Sequence, residues 1–202
     1  TLQLVVPALR METTLPGLDP IVFDSGNPDR SDPTLRAEMS KYLGKPVAEV
    51  RIDPKGKLVE VKESRFGPAN RFEADLPFKL TLPETAPAAG QGWSRTYRVK
   101  LDPPQGAGES YEAAQHYSLK GESDGLMVVA MRTELKSLPP AVIEQIPLLP
   151  LLPEGEVYFN PKTGRYHGAK LRVEKELVNH QGEGSRYLYQ SSYVEGLVVE
   201  EK

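Results

Sequence analysis

The sequence contains no cysteine among its 202 residues. Without thiols the chain has no disulfide framework, no thiolate zinc site and no cysteine nucleophile. Packing and hydrogen bonds alone must therefore hold the fold together. The absence does not decide the cellular compartment, because a cysteine-free chain suits a bacterial envelope and a cytosol equally.

Long apolar runs and an excess of basic residues are also missing. The longest uninterrupted apolar run covers the six residues 126–131, whereas a membrane-spanning helix needs about 20. The net charge is −3, and the 25 Lys and Arg residues are interspersed among 28 Asp and Glu residues. Phosphate binding requires a concentrated cationic face. We therefore expect neither a membrane span nor a nucleic-acid partner.

Catalytic signatures are scarce. His116, His167 and His180 are the three histidines, and their spacing matches no paired metal-ligand motif. The chain has no Gly-x-Ser-x-Gly elbow, no phosphate loop and no Gly-x-Gly-x-x-Gly fingerprint. We therefore expect no catalytic residue, no metal and no cofactor. A hydrolase that acts through Asp or Glu stays open as a minor alternative, because sequence cannot show whether two carboxylates converge.

A two-residue alternation of apolar and polar side chains dominates the second half of the chain. Trp93, Tyr97 and Val99 share one face of a predicted strand, and Arg95 interrupts that series. Further predicted strands, several joined by hairpin turns, cover residues 111–119, 126–135, 156–160, 165–177 and 186–199. An antiparallel meander of this size has to twist and curl. We predict a mainly-β fold, with a half-barrel or open barrel meander, in one domain over residues 1–202.

Two segments depart from the strand pattern. A short helix is predicted near residues 33–43, with Asp32 as its N-cap and Pro33 at its first position. Asp24, Asp29 and Asp32 form an oxygen-rich stretch that lacks the EF-hand order of ligands, so it predicts a turn ending in a helix cap. Residues 139–153 are apolar but rich in proline, which forbids a long helix. We expect this plug to pack into the concave face of the curled sheet.

Aromatic and methionine side chains on the predicted strands indicate a candidate binding surface. Such side chains tolerate varied apolar ligands, and the apolar plug would complete the lining. Core packing is the alternative interpretation of the same residues. The predicted ligand-binding set consists of Trp93, Tyr97, Tyr117, Met127, Met131, Leu148, Leu149 and Leu152.

Several short elements, in a fixed order, resemble an uncharacterised family of bacterial cell-envelope β-domains. The elements are Phe23-Asp24-Ser25, Tyr42-Leu43-Gly44, Ile52 to Gly56, and Gly92-Trp93, within a stretch from about Val22 to Val173. The resemblance implies a cell-envelope protein and a domain that lacks some amino-terminal strands. Because the chain begins at Thr1 inside a strand-like run, without an initiator Met or a charged leader, we expect a periplasmic or secreted protein whose leader has been removed. At the level of fold, the predicted curled sheet with a plug is similar to the half-barrels of lipoprotein carriers of the LolA and LppX type.

These observations lead to three hypotheses about function. The first is a non-enzymatic envelope protein that binds an apolar ligand or a lipidated partner on its concave face. The second is a structural module that pairs a sheet edge, either Leu2 to Val6 or Arg186 to Val199, with another chain. The third is the carboxylate-dependent hydrolase.

Overall fold

The computed structural model describes residues 1–13, 19–65, 69, 72, 80–103 and 106–197. The chain divides into two compact units, one comprising Thr1–Asp53 with Leu58–Ala69 and the other Pro54–Lys57 with Asn70–Lys202. Both consist mainly of antiparallel strands, which confirms the predicted fold class. The single domain expected over the whole chain stays a prediction.

The first unit contains two small antiparallel sheets. Its strands are β1 (Leu2–Val5), β2 (Arg10–Thr13), β3 (Ile21–Asp24), β4 (Pro46–Ile52) and β5 (Leu58–Ser64). One sheet has the order β1-β4-β5, and the other pairs β2 with β3. The buried side chains of Phe23 and Val50, 1% and 0% exposed, form part of its core.

The predicted helix is present but shorter than expected. A 3-10 helix, η1 (Pro28–Arg30), precedes α1 (Pro33–Met39). Asp32 Oδ1 accepts hydrogen bonds of 2.9 Å from the amides of Thr34 and Leu35, which confirms the predicted cap. After Met39 the Tyr42 amide donates to the Met39 carbonyl in a tighter turn. Leu43 then bridges to Val6, and the Gly44 amide donates to the Val6 carbonyl, so the chain leaves the helix before residue 43.

The second unit is built on a six-stranded antiparallel meander. Its strands are β6 (Gly92–Leu101), β7 (Glu109–Ser123), β8 (Leu126–Leu135), β9 (Glu154–Asn160), β10 (Arg165–Val178) and β11 (Arg186–Gly196). Strands that follow one another in sequence are neighbours in the sheet. The sheet is therefore open, with β6 and β11 as its edges. Val198 and Val199, at the end of the predicted last strand, lie outside the described residues.

One face of this sheet is buried, and we call it the inner face. The pairing register places Trp93, Tyr117, Met131 and Leu171 in one row across β6, β7, β8 and β10, with Gly155 of β9 between Met131 and Leu171. Tyr117 and Met131 are each 2% exposed. The opposite, outer face carries exposed charged residues, among them Arg98, Lys100, Arg132 and Arg172.

The plug packs on the inner face, as predicted. It forms a 3-10 helix, η2 (Val142–Leu151), with Pro147 and Pro150 inside it. Because a proline has no amide hydrogen to donate, these two residues interrupt the hydrogen bonding of a regular α-helix. The segment instead adopts the tighter 3-10 form, which is common in short helices. Leu148, fully buried, contacts the core cluster formed by Val99, Leu101 and Ala113.

A close approach of two backbones requires glycine at position 155. Gly155 has a φ of +149°, and a Cβ there would overlap the Lys170 carbonyl oxygen and lie 3.0 Å from Leu171 Cα. We expect Gly155→Ala to lower the free energy of unfolding by about 3 kcal/mol. Gly164 also has a positive φ, +65°, but no atom within 4 Å of a Cβ, so Gly164→Ala should cost only about 1–2 kcal/mol. Urea denaturation of both variants measures the difference, and equal losses would contradict the steric argument.

Candidate functional site

A cavity of about 290 Å³ opens on the second unit beside the carboxyl end of η2. Its apolar lining comes from three parts of the chain, β8 and the residues after it, η2, and the end of β10. The lining leucines are Leu135, Leu138, Leu148, Leu149, Leu152 and Leu177. Charged residues from β8, β9 and β10 surround them: Arg132, Glu134, Glu154, Lys175 and Glu176. The cavity thus has an apolar floor and a charged rim.

The geometry of η2 explains why its leucines meet at the cavity. In a 3-10 helix, side chains three residues apart lie on the same side. Leu149 and Leu152 have this spacing, and the Leu152 amide donates to the Leu149 carbonyl over 3.1 Å. Within the helix, Gln145 Nε2 donates to the carbonyl of Pro139 over 3.3 Å. Because Gln145 lines the cavity, this bond connects the segment before η2 with the cavity wall.

The carboxylates of the rim form ion pairs with neighbouring cationic side chains. Glu134 Oε1 lies 2.7 Å from Lys136 Nζ and 3.0 Å from His116 Nε2. The hydrogen bond from Lys136, followed by that from His116, lowers the pKa of Glu134 to about 2. Glu154 pairs with Arg172 at 3.5 Å and Glu176 with Arg186 at 3.3 Å.

Lys175 differs from the other charged groups of the rim. It is exposed, and among the described residues it has no ion-pair partner. Its register partner on β11 is Tyr189, an uncharged residue. The cationic charge of Lys175 at the rim is therefore open to a ligand.

A buried polar row adjoins the cavity. Arg95, Gln115 and Thr133 are direct neighbours across β6, β7 and β8. Arg95 Nε donates to Gln115 Oε1 over 2.7 Å, and Gln115 Nε2 donates to Thr133 Oγ1 over 3.3 Å. The Tyr117 hydroxyl donates to the same Gln115 oxygen over 2.9 Å. Because Thr133 also lines the cavity, the row reaches the cavity at its β8 end.

The polar row explains why Arg95 interrupts the inward series of β6. Its guanidinium lies 4.1 Å from the centre of the Tyr97 ring, within the range of a cation–π contact. Burial raises the pKa of Tyr97 to about 12. Gln115 and Thr133 were not among the site residues predicted from the sequence. They could have been found because three successive predicted strands each carry a polar residue at an inward-facing position. Only the pairing register shows that these three residues lie in one row.

The structure divides the predicted ligand-binding residues into groups. Trp93, Tyr117, Met127 and Met131 belong to one apolar cluster. Within it, the Trp93 ring stacks on that of Tyr117 at 5.6 Å, and its Nε1 donates to the Thr81 carbonyl over 2.7 Å. Tyr97 and Leu148 belong to a second cluster. The residues at the cavity are Leu148, Leu149 and Leu152. A ligand-binding role for the whole set stays a prediction.

In the described ranges, no three His, Asp or Glu side chains come together in a group that could hold a metal ion. Nor does any helix in those ranges have the length and apolar character needed to cross a bilayer.

Compared with protein-family models, with curated proteins and with solved structures, the chain matches none of them. The similarity to envelope β-domains and to lipoprotein carriers stays a prediction from sequence. The function therefore has to be inferred from the residues of the site.

The lowered pKa of Glu134 can be measured directly. In a carbon-detected NMR titration we expect its carboxyl to titrate near pH 2, against an ordinary value of 4.5. Since the folded pKa is the lower one, the stabilising contribution of ionised Glu134 is complete above about pH 4.5 and is lost as the pH falls toward 2. Lys136→Met should raise the midpoint, whereas Lys100→Met, which removes a lysine paired with Asp102, should not. A wild-type midpoint near 4.5 would refute the assignment.

Proposed function

We propose that the protein is a non-enzymatic cell-envelope protein that binds an apolar ligand, or the acyl group of a lipidated partner, in the leucine-lined cavity beside η2. The observation that carries the proposal is this cavity of about 290 Å³. It lies next to an inner face whose side chains otherwise pack into two apolar clusters. The envelope location, periplasmic or secreted, rests on the sequence resemblance alone.

The volume of the cavity limits the size of the ligand. An engineered apolar cavity of about 150 Å³ holds benzene, and pockets for small molecules begin at about 300 Å³. A cavity of about 290 Å³ therefore suits one short acyl chain or one small ring system. It is too small for both chains of a phospholipid, so a lipidated partner would insert only part of one chain.

The charge of the rim favours a ligand with an anionic or neutral polar end. Glu134, Glu154 and Glu176 each have a cationic partner within the protein. Lys175 has none among the described residues, so a ligand carboxylate would find a complementary charge there. The apolar end of the same ligand would lie against Leu149 and Leu152. We therefore favour a short-chain fatty acid or an equivalent acyl group as the ligand class.

The same rim argues against the hydrolase hypothesis. A carboxyl that acts as a general acid needs a raised pKa. Lys136 and His116 instead lower the pKa of Glu134. This arrangement supports binding over hydrolysis.

Octanoic acid is a suitable probe for the cavity. We expect its addition to shift the methyl NMR resonances of Leu148, Leu149 and Leu152, because these side chains form the floor. Leu138→Glu should weaken binding at least tenfold, since Leu138 lines the cavity, is 55% exposed and would then repel the carboxylate. Val59→Glu is the matched control. Val59 is 48% exposed on β5 and does not belong to the lining of the cavity, so its replacement should leave the affinity unchanged.

Two outcomes would overturn the proposal. The first is the absence of any leucine methyl shift up to the solubility limit of octanoic acid. The second is a set of shifts confined to the methyl groups of Met127 and Met131. Such shifts would show that octanoic acid binds at the apolar cluster that contains these two residues, and not in the cavity.

A further inference from the structure

The edge strand β11 lacks the charges that usually protect an exposed sheet edge. It is 11 residues long, or about 36 Å, and residues 187–194 carry no charge. Val194 is 70% and Leu188 59% exposed on its outer face. In the part of the chain that the structure describes, β10 is the one strand that pairs with it. Such an edge is a template for pairing with another strand.

The opposite edge of the same sheet is protected. The outer-face positions of β6 include Arg98 and Lys100, both exposed, and Arg95 lies on its inner face. Charged side chains along an edge disfavour pairing with a second chain. The two edges therefore differ, and association through β11 alone would stop at two copies instead of continuing into a fibre.

The sequence of β11 is chemically symmetric about Ser191. At one residue on either side stand the polar side chains of Gln190 and Ser192, and at two residues stand tyrosines. At three residues stand the exposed apolar side chains of Leu188 and Val194. The full series reads Tyr187, Leu188, Tyr189, Gln190, Ser191, Ser192, Tyr193, Val194, Glu195.

We infer that two copies of this chain pair through β11, antiparallel, about a two-fold axis that passes through Ser191 perpendicular to the sheet. In this register, Leu188 lies opposite Val194 of the second copy on the outer face. Tyr189 lies opposite Tyr193 of the second copy on the inner face. Cross-strand aromatic and apolar pairs of this kind stabilise a sheet. The two six-stranded sheets would become one continuous sheet.

The neighbouring registers are less favourable. With the axis at Gln190, Leu188 would lie opposite Ser192 and Val194 opposite Arg186. With the axis at Ser192, Val194 would lie opposite Gln190 and Leu188 opposite Gly196. A shift of one residue in the pairing would place inner-face residues opposite outer-face ones, which the pleat of a continuous sheet does not allow. Only the axis at Ser191 matches every apolar residue with an apolar partner.

Glu195, the single carboxylate in the series from Tyr187 to Glu195, does not oppose this pairing. Within one copy, Glu195 already accepts hydrogen bonds from the hydroxyls of Tyr166 and Tyr193. In the dimer it would lie opposite Tyr187 of the second copy, an uncharged residue. No like charges are therefore brought together in the inferred register.

Sedimentation velocity tests the association. We expect the wild-type chain to sediment as a dimer at tens of micromolar and Val194→Lys to weaken dimerisation at least a hundredfold. Val59→Lys is the matched control. Val59 is 48% exposed on β5, an edge strand of the three-stranded sheet β1-β4-β5, and its replacement should leave the dimer intact. A monomeric wild-type chain, or a dimer that Val194→Lys leaves unchanged, would overturn the inference.

Cysteine cross-linking tests the register. The chain has no cysteine, so one introduced thiol can form a disulfide only between copies. In Ser191→Cys the two Cα atoms would lie about 4.5–5.5 Å apart, within the range of a disulfide. In Ser192→Cys they would lie about 8 Å apart, which is too far. We expect the first to cross-link at least tenfold faster under mild oxidation, and equal rates would refute the axis at Ser191.

The inference does not depend on the proposed ligand site. Val194→Lys should be monomeric and still bind octanoic acid, since the register partner of Val194 is Lys170, which does not line the cavity. Leu138→Glu should be dimeric and bind it poorly. The two proposals can therefore fail separately.

Discussion

The packing of η2 on the inner face of the six-stranded sheet determines both the core and the cavity of the larger unit. Leu148 is fully buried and contacts the cluster of Val99, Leu101 and Ala113. The prolines at positions 147 and 150 keep the segment in a short 3-10 form, so it cannot extend as a regular helix along the sheet. Where it ends at Leu151, the leucines of β8 and β10 are left around an open space.

The polar row of Arg95, Gln115 and Thr133 is the second constraint on this face. Polar groups in an apolar environment must be hydrogen-bonded to avoid a large desolvation cost. Gln115 meets this condition through bonds with Arg95, Tyr117 and Thr133. A slip of two residues between β6, β7 and β8 would keep the side chains on the same face but separate these partners. The row therefore favours one register of the three strands.

Much of the fold could be predicted from the sequence, because it follows from local rules. The two-residue alternation identified β6, β7 and β11, and the Asp32 cap identified the start of α1. The end of α1 was predicted too late, since Leu43 and Gly44 pair with Val6, a partner far away in sequence. Local periodicity shows which side chains share a face, but it does not show which distant residue competes for a backbone group.

The cavity could be predicted only in part for a related reason. The apolar plug pointed to Leu148, Leu149 and Leu152, which do line it. Leu135 and Leu177 reach the same place from strands separated by the whole of η2 and β9, so their contribution depends on register and packing. The aromatic residues fill space instead: the stacking of Trp93 on Tyr117 closes their part of the inner face. Alternation predicts an apolar face, and only the volumes of the packed side chains decide where a gap is left.

The carboxyl end of β10 connects the cavity with the edge strand. Lys175, Glu176 and Leu177 line the cavity, and the same three residues pair with Tyr189, Leu188 and Tyr187 of β11. Because these residues are shared, the two proposals, although separable by mutation, describe one connected part of the molecule.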